Sequence, residues 1–184
     1  MNYLCYIWYI LQYRLTKILY SLHIKKYATS VNRDIIDSST LHNKVMMGYQ
    51  GWFGCPKDGS PLNSWRHWYR ADGSPTVDVW PDLSELDAEE IFVSEKDQRS
   101  VYSSYSIKTV VRHFKWMKDY ELDGIFLQRF VTDFSIKGVL DRVCCNVREG
   151  AITYGRVFSI MYDVTNADAD NLLEVLREDW NSPL

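Results

Sequence analysis

The chain has 184 residues, of which 46% are hydrophobic and 24% are charged, as in an ordinary globular protein. This length allows one domain with its own core, but a closed eight-unit barrel of strands and helices typically needs about 250 residues. The formal net charge of -3 argues against nucleic acid as a partner. The aromatic content of 15% is high, and aromatic rings suit sugar surfaces as well as cores.

The first 33 residues differ from the rest in composition, because they contain five basic residues and no acidic one. Residues 3–11 form an apolar and aromatic run of nine, far short of the roughly 20 that span a bilayer. No basic region precedes this run and no clear cleavage site follows it. A degenerate signal anchor, an amphipathic targeting segment and a natively unstructured stretch all remain open. We expect residues 1–33 to lie outside the fold, and we do not expect a membrane partner.

Residues 45–105 are predicted to contain little regular structure. A strand is expected at residues 45–49, followed by a long loop over 51–73 that is rich in Gly, Pro, Asp and Ser but also carries Trp and Tyr. A loop of this length in a compact domain is typically functional. A second strand is predicted at residues 77–80 and a short acidic helix within 82–90, while residues 100–105 are ambiguous and would allow a short strand.

Helices and strands are predicted to alternate over the rest of the chain. Apolar residues at spacings of three and four predict a helix over residues 107–120, with Ser106 as its N-cap. Further elements are expected as a strand at 125–127, a helix at 136–154, a strand at 156–161 and a helix at 168–180. Near-continuous apolar strands covered by amphipathic helices are typical of a parallel sheet buried on both faces. The predicted fold class is therefore α/β.

Metal and cofactor chemistry find little support in the sequence. The four cysteines include no Cys-x-x-Cys pair, and no His spacing completes a zinc site. The adjacent Cys144 and Cys145 are interpreted as small buried residues. A nucleophile elbow, a phosphate loop and a dinucleotide fingerprint are all missing from the sequence. We therefore expect no metal and no cofactor, and serine hydrolases and nucleotide-dependent enzymes are poor alternatives.

Six short blocks occur in a consistent order between about residue 44 and residue 180. They are Gly48-Tyr49-Gln50-Gly51-Trp52-Phe53, Trp65-Arg66-His67-Trp68, Trp80-Pro81-Asp82, His113-Phe114-Lys115-Trp116-Met117, Asp123-Gly124-Ile125-Phe126-Leu127-Gln128-Arg129-Phe130 and Met161-Tyr162-Asp163. With these blocks the chain resembles glycoside hydrolases of the group related to families 99 and 71, some of which are named xylosidase/arabinosidase. The resemblance implies a (β/α)8 TIM barrel acting on glycans. Residues 34–184 would form its N-terminal half, with about four strand–helix units and parallel strands.

The resemblance also sets the expected function. Related endo-acting mannosidases carry their catalytic carboxylates in the second half of the barrel, so no catalytic residue is assigned in this chain. We expect a glycoside hydrolase-like protein that ancestrally cleaved glycosidic bonds and is incomplete and inactive as this isolated chain. The alternative is a non-catalytic carbohydrate-binding or vestigial barrel fragment. A glycan or glycoside would be the ligand, the secretory pathway is favoured over other compartments, and open barrel edges would allow self-association.

Strand ends and the aromatic loop supply the predicted substrate contacts. These are Tyr49, Gln50, Trp52, His67, Trp68, Trp80, Asp82, Gln128, Arg129 and Asp163. The tryptophan rings would either stack on pyranose faces or pack in a core. His67, amid the aromatic residues of the loop, is a candidate to contact substrate. His113, beside the apolar stripe of a predicted helix, is expected to be structural.

The charged candidates each have a structural alternative. Asp82 and Asp163 would bind sugar hydroxyls or belong to an acid/base pair of the kind glycoside cleavage requires. Either carboxylate would instead serve as a helix cap or a loop residue. Arg129 would fork onto sugar hydroxyls or a carboxylate. Its alternative is a salt bridge with Asp123 or Asp133.

Overall fold

The computed structural model of the protein describes residues 35–182, so the predicted leader at residues 1–33 lies outside the described residues. The regular elements in chain order are β1 (Met46–Tyr49), β2 (Phe92–Val93), β3 (Ser100–Val101), α1 (Ile107–Asp119), β4 (Gly124–Phe130), α2 (Lys137–Tyr154), β5 (Val157–Asp163) and α3 (Leu172–Trp180). Two 3-10 segments, Ala88–Glu90 and Val131–Ile136, complete the list.

Three parallel strands form the main sheet in the order β1-β4-β5. Each strand of this sheet therefore lies beside the next one along the chain, and each connection between them contains a helix. The register aligns Met46, Gly124 and Val157, so the three strands begin at the same level. The α/β class with parallel strands is confirmed for residues 35–182, with three strands in the main sheet rather than about four.

The predicted strand at residues 77–80 is wrong. Residues 77–80 have no strand structure, and Val79 is 84% exposed. Trp80 instead packs on Tyr69, with a ring separation of 5.9 Å. The alternation of apolar and polar residues is present, but no neighbouring strand pairs with it.

The main core lies between the sheet and two helices. Ser106 caps α1, because its side chain accepts a hydrogen bond from the Thr109 backbone N–H. Phe114 of α1 and Val147 of α2 are fully buried with Ile125 of β4. The helix boundaries agree with the predicted ranges 107–120 and 136–154 to within one residue.

The prediction of a sheet buried on both faces is wrong for residues 35–182. Period-two alternation places Ile125 and Leu127 of β4 toward the helices, and both are at most 2% exposed. The other face is open: Gly48 and Ser159 are exposed, and Met161 is 41% exposed. We call this second face, which also carries Phe126, Gln128 and Phe130, the open face.

The connection between β1 and α1 builds a second, aromatic core without regular elements over most of its length. Its buried centre includes Cys55, Trp68 and Tyr69. The absence of a regular element at residues 51–73 is confirmed, and the acidic helix shortens to the 3-10 segment Ala88–Glu90. Glu90, fully buried, fastens this connection to α1 by accepting hydrogen bonds from Arg112 at 2.6 Å and Thr109 at 3.0 Å.

The ambiguous segment at residues 100–105 contains a short strand, because β3 pairs antiparallel with β2 at residues 100–101.

The two adjacent cysteines differ in exposure. Cys144 is buried as expected, but Cys145 is exposed, because adjacent residues on a helix point to different sides.

His113 is structural, as its place on α1 indicates. Its Nδ1 and the hydroxyl of Tyr49 share a hydrogen bond of 2.8 Å. Burial, helped by the charge of nearby Arg112 and opposed by that of Glu90, lowers the pKa of His113 from 6.5 to about 4.

A pH dependence of stability follows from this shift. Between pH 7 and pH 5 the unfolded chain gains a proton at residue 113 that the folded chain does not bind, so acidification should cost about 2 kcal/mol of unfolding free energy. Urea unfolding at both pH values measures this loss. The variant His113→Gln should show a smaller loss over the same interval, and an equal loss in both proteins would contradict the assignment.

Candidate functional site

The carboxyl ends of β4 and β5 bring a polar pair together on the open face. Gln128 Nε2 donates to Asp163 Oδ2 at 2.7 Å, and Asp163 Oδ1 accepts from the Thr165 backbone N–H at 2.9 Å. Hydrogen bonds from Thr165 lower the pKa of Asp163, and the bond from Gln128 adds to this against the effect of burial. Asp163 is therefore an ionised hydrogen-bond acceptor at neutral pH.

A stack of three aromatic rings lies beside this pair. The Trp52 indole is 4.4 Å from the His67 ring at an interplanar angle of 11°, and 5.2 Å from the Phe130 ring at 24°. Since His67 and Phe130 make no ring contact with each other, the Trp52 indole connects the two rings. Phe130 pairs in register with Asp163, so the stack is continuous with the polar pair. We call Trp52, His67, Gln128, Phe130 and Asp163 the strand-end site.

His67 is held at the end of the stack by an unusual backbone conformation. Its φ of 57° lies in the left-handed region, which few residues other than glycine adopt. Burial lowers the pKa of His67, and the neighbouring Arg66 adds to this while Asp133 opposes it. Arg66 and Asp133 are themselves paired at 2.7 Å. The imidazole is therefore neutral at physiological pH.

Phe130 is the member of the site that the sequence reasoning missed. Phe130 lies three residues beyond the strand predicted at 125–127 and is not among the predicted contacts, whereas the observed β4 extends to it. The available signal is its spacing, because residues two apart on a strand share a face and Phe130 follows Gln128 by two positions.

Three of the predicted aromatic contacts pack against other residues of the protein. Tyr49 is engaged with His113 on the helix side of the sheet. Trp68 is 3% exposed, and its Nε1 donates to the Tyr102 carbonyl oxygen at 2.7 Å. Trp80 stacks on Trp68 at 6.4 Å, and the Arg99 guanidinium lies 4.5 Å from the Trp80 ring centre. All three side chains therefore make contacts within the protein.

Asp82 makes no hydrogen bond to a residue of the strand-end site. It follows no strand and is exposed, and its Oδ1 accepts a hydrogen bond from the Ser84 backbone N–H at 2.9 Å. Backbone and side-chain hydrogen bonds from Ser84 lower its pKa. Asp82 therefore makes the kind of hydrogen bond that its loop interpretation predicts. Gln50, in contrast, is exposed directly after β1, near the carboxyl edge of the sheet.

Arg129 points to the opposite side of β4 from Gln128, into a buried charge network. It is 1% exposed and pairs with Asp179 at 2.6 Å and Asp141 at 2.9 Å. Both predicted salt-bridge partners are wrong, because Asp133 pairs with Arg66 and Asp123 accepts from the Val45 backbone N–H. Arg129 therefore holds the fold together and does not face the strand-end site.

A cleft of about 550 Å³ beside β2 contains none of the predicted contact residues. Two lysines line it, together with apolar side chains that include Trp65 and Phe92. Lys96 donates to the Asp72 carbonyl oxygen at 2.9 Å, and Lys57 lies 3.9 Å from Glu95. Because these cations already have partners, the strand-end site is the better candidate.

Comparison with known proteins adds no relative, since no family model, no curated protein and no solved structure matches the chain. Among residues 35–182, no helix has the length and apolar character needed to cross a membrane. Nor does this part of the chain contain a group of three or more His, Cys, Asp or Glu side chains arranged to hold a metal ion.

Proposed function

We propose that the chain binds glycans at the strand-end site, as part of a glycoside hydrolase-like barrel. The observation that carries the proposal is the Gln128–Asp163 pair beside the aromatic stack. A carboxylate accepts hydrogen bonds from sugar hydroxyls, a carboxamide both donates and accepts, and aromatic rings pack on the C–H faces of sugars. The carboxyl ends of parallel strands are also where α/β folds bind their ligands.

The contacts favour binding over cleavage for these particular residues. Glycoside hydrolysis uses two carboxyl groups, of which one is kept protonated by its surroundings. The pKa of Asp163 is lowered and that of Asp82 is lowered too, so neither is suited to act as the acid. Asp133 is committed to Arg66. Hydrolysis by the proposed barrel would rest on other carboxylates, and non-catalytic carbohydrate binding is the second candidate function.

Substituting the polar pair tests the proposal. Asp163→Asn and Gln128→Ala should each weaken glycan binding about 10-fold or more, because a hydrogen bond to a charged group contributes about 1.5–3 kcal/mol. Isothermal titration calorimetry of the full chain with xylohexaose, arabinohexaose and mannohexaose measures the affinity. Reducing-end release in the same samples detects hydrolysis.

Asp82→Asn is the matched control. Asp82 and Asp163 both accept a backbone N–H from two residues on, at 2.9 Å, and both have a lowered pKa. Both variants therefore keep an oxygen acceptor for this backbone N–H and lose the same charge, but only Asp163 lies beside Gln128 and Phe130. Equal binding losses at both positions, or none at Asp163, would refute the proposal.

A further inference from the structure

The Trp52 indole is already engaged by two rings of the protein. Both His67 and Phe130 stack on it. The indole Nε1 is also buried and has no hydrogen-bond partner among residues 35–182. The residue expected to be a stacking platform is therefore the middle ring of the stack, and a ligand would meet one of the outer rings.

His67 is the outer ring on the loop side. One face rests on Trp52, and the plane of Phe53 is nearly perpendicular to it, at 82° and 6.4 Å. Within residues 35–182 neither ring nitrogen of His67 has a hydrogen-bond partner, and neither is sequestered from solvent like the Trp52 nitrogen. The charged neighbours Arg66 and Asp133 bond to each other and leave the imidazole nitrogens unused.

We propose that His67 is a sugar-contacting and specificity-determining residue, and that Trp52 acts as the support that holds its ring flat. This inference rests on the proposed function. A neutral imidazole has one N–H donor and one nitrogen acceptor, which suits uncharged sugars with neighbouring hydroxyl groups. The ligand class is therefore a neutral glycan that packs against the His67 ring and bonds to its nitrogens, with Asp163 and Gln128 bonding to other hydroxyls.

Two substitutions at residue 67 separate the contribution of the ring to binding from that of its nitrogens. His67→Phe keeps a flat ring on Trp52 but removes both nitrogens, and His67→Ala removes the ring as well. In the calorimetric titrations with the three hexasaccharides, His67→Ala should weaken binding at least 10-fold and His67→Phe by a smaller factor. His42→Ala, at an exposed histidine, should leave the affinity unchanged. Near-ultraviolet circular dichroism of each variant checks that the aromatic packing is intact.

A measurement on the unsubstituted chain removes any dependence on folding of the variants. The chain has four histidines, and side-chain ¹⁵N resonances report each ring separately. On titration with the hexasaccharide that binds, the His67 ring resonances should shift and those of His113, which bonds to Tyr49, should not.

The outcomes distinguish this inference from the function it rests on. Unmoved His67 resonances, or unchanged affinity of His67→Ala while Asp163→Asn loses binding, would overturn the role of His67 and leave glycan binding standing. If the unsubstituted chain binds none of the three hexasaccharides, the proposed function fails and the role of His67 fails with it.

Discussion

Replacing Asp179 with alanine is expected to lower the free energy of unfolding by about 3–5 kcal/mol, because it leaves a buried cation without its closest partner. Asp179 is 4% exposed and accepts hydrogen bonds from Arg129, Lys137 and Tyr162. Burial alone would raise its pKa, but the bonds from these three groups outweigh burial and lower it. With a typical total stability of about 5–15 kcal/mol, such a loss would leave a marginal fold.

Asp179 belongs to a network with equal numbers of cations and carboxylates, so its removal leaves an excess of positive charge. Two cations, Arg129 and Lys137, face two carboxylates, Asp141 and Asp179. Asp179 on α3 connects that helix to β4 through Arg129 and to β5 through Tyr162. Loss of Asp179 should therefore also expose the backbone amides of α3 to hydrogen exchange before those of the main core.

Two controls separate loss of charge pairing from loss of packing. Asp141→Ala removes a carboxylate whose side chain is 29% exposed, so urea unfolding should show a smaller loss than for Asp179→Ala. The double variant Arg129→Met/Asp179→Leu removes both buried charges and should recover most of the stability. An Asp179→Ala protein as stable as the unsubstituted one would contradict the assigned network.

The helices and the strands of the main sheet were predictable because their signals are local. Apolar residues at helical spacing, with Ser106 before them and Gly155 after α2 at a left-handed φ of 64°, mark the ends of α1 and α2. The strand predicted at residues 77–80 failed because a strand also needs a neighbour, and alternation within four residues does not reveal one. Burial on both faces failed similarly, since an apolar run such as β5 does not tell what covers each side.

The site was predictable in outline and not in detail. Ligands bind where parallel strands end, so Gln128 and Asp163 were both predicted as strand-end contacts. Consecutive strand residues point to opposite faces, so only one of Gln128 and Arg129 could join the site, but the sequence does not tell which. Tyr49 and Trp68 pack against His113 and Tyr102. The sequence did not reveal this packing, because these partners lie 64 and 34 positions away in the chain.

Adding a methyl group at Gly124 should be the most disruptive small substitution in the sheet. A Cβ there would lie 2.0 Å from the carbonyl oxygen of Val157 and 2.7 Å from its side chain. The obstacle is the backbone of the neighbouring strand, fixed by the pairing of Gly124 with Val157 at the start of β4 and β5. Gly124→Ala should therefore lower the free energy of unfolding by more than overpacking typically does, which is about 1–3 kcal/mol. Urea unfolding measures this loss.

Two other glycines provide graded comparisons for this variant. Gly150→Ala would place a Cβ 2.4 Å from the ring of Phe114, a side chain that can shift, so about 1–3 kcal/mol is expected. Gly138 in α2 has no atom within 4 Å of an added Cβ, so Gly138→Ala should stabilise the helix by up to about 1 kcal/mol. The loss of unfolding free energy should thus be larger for Gly124→Ala than for Gly150→Ala, whereas Gly138→Ala should give a gain. If Gly124→Ala were as stable as Gly138→Ala, the close approach of β4 to β5 at Val157 could not be right, and the register that brings Gln128 to Asp163 would be wrong with it.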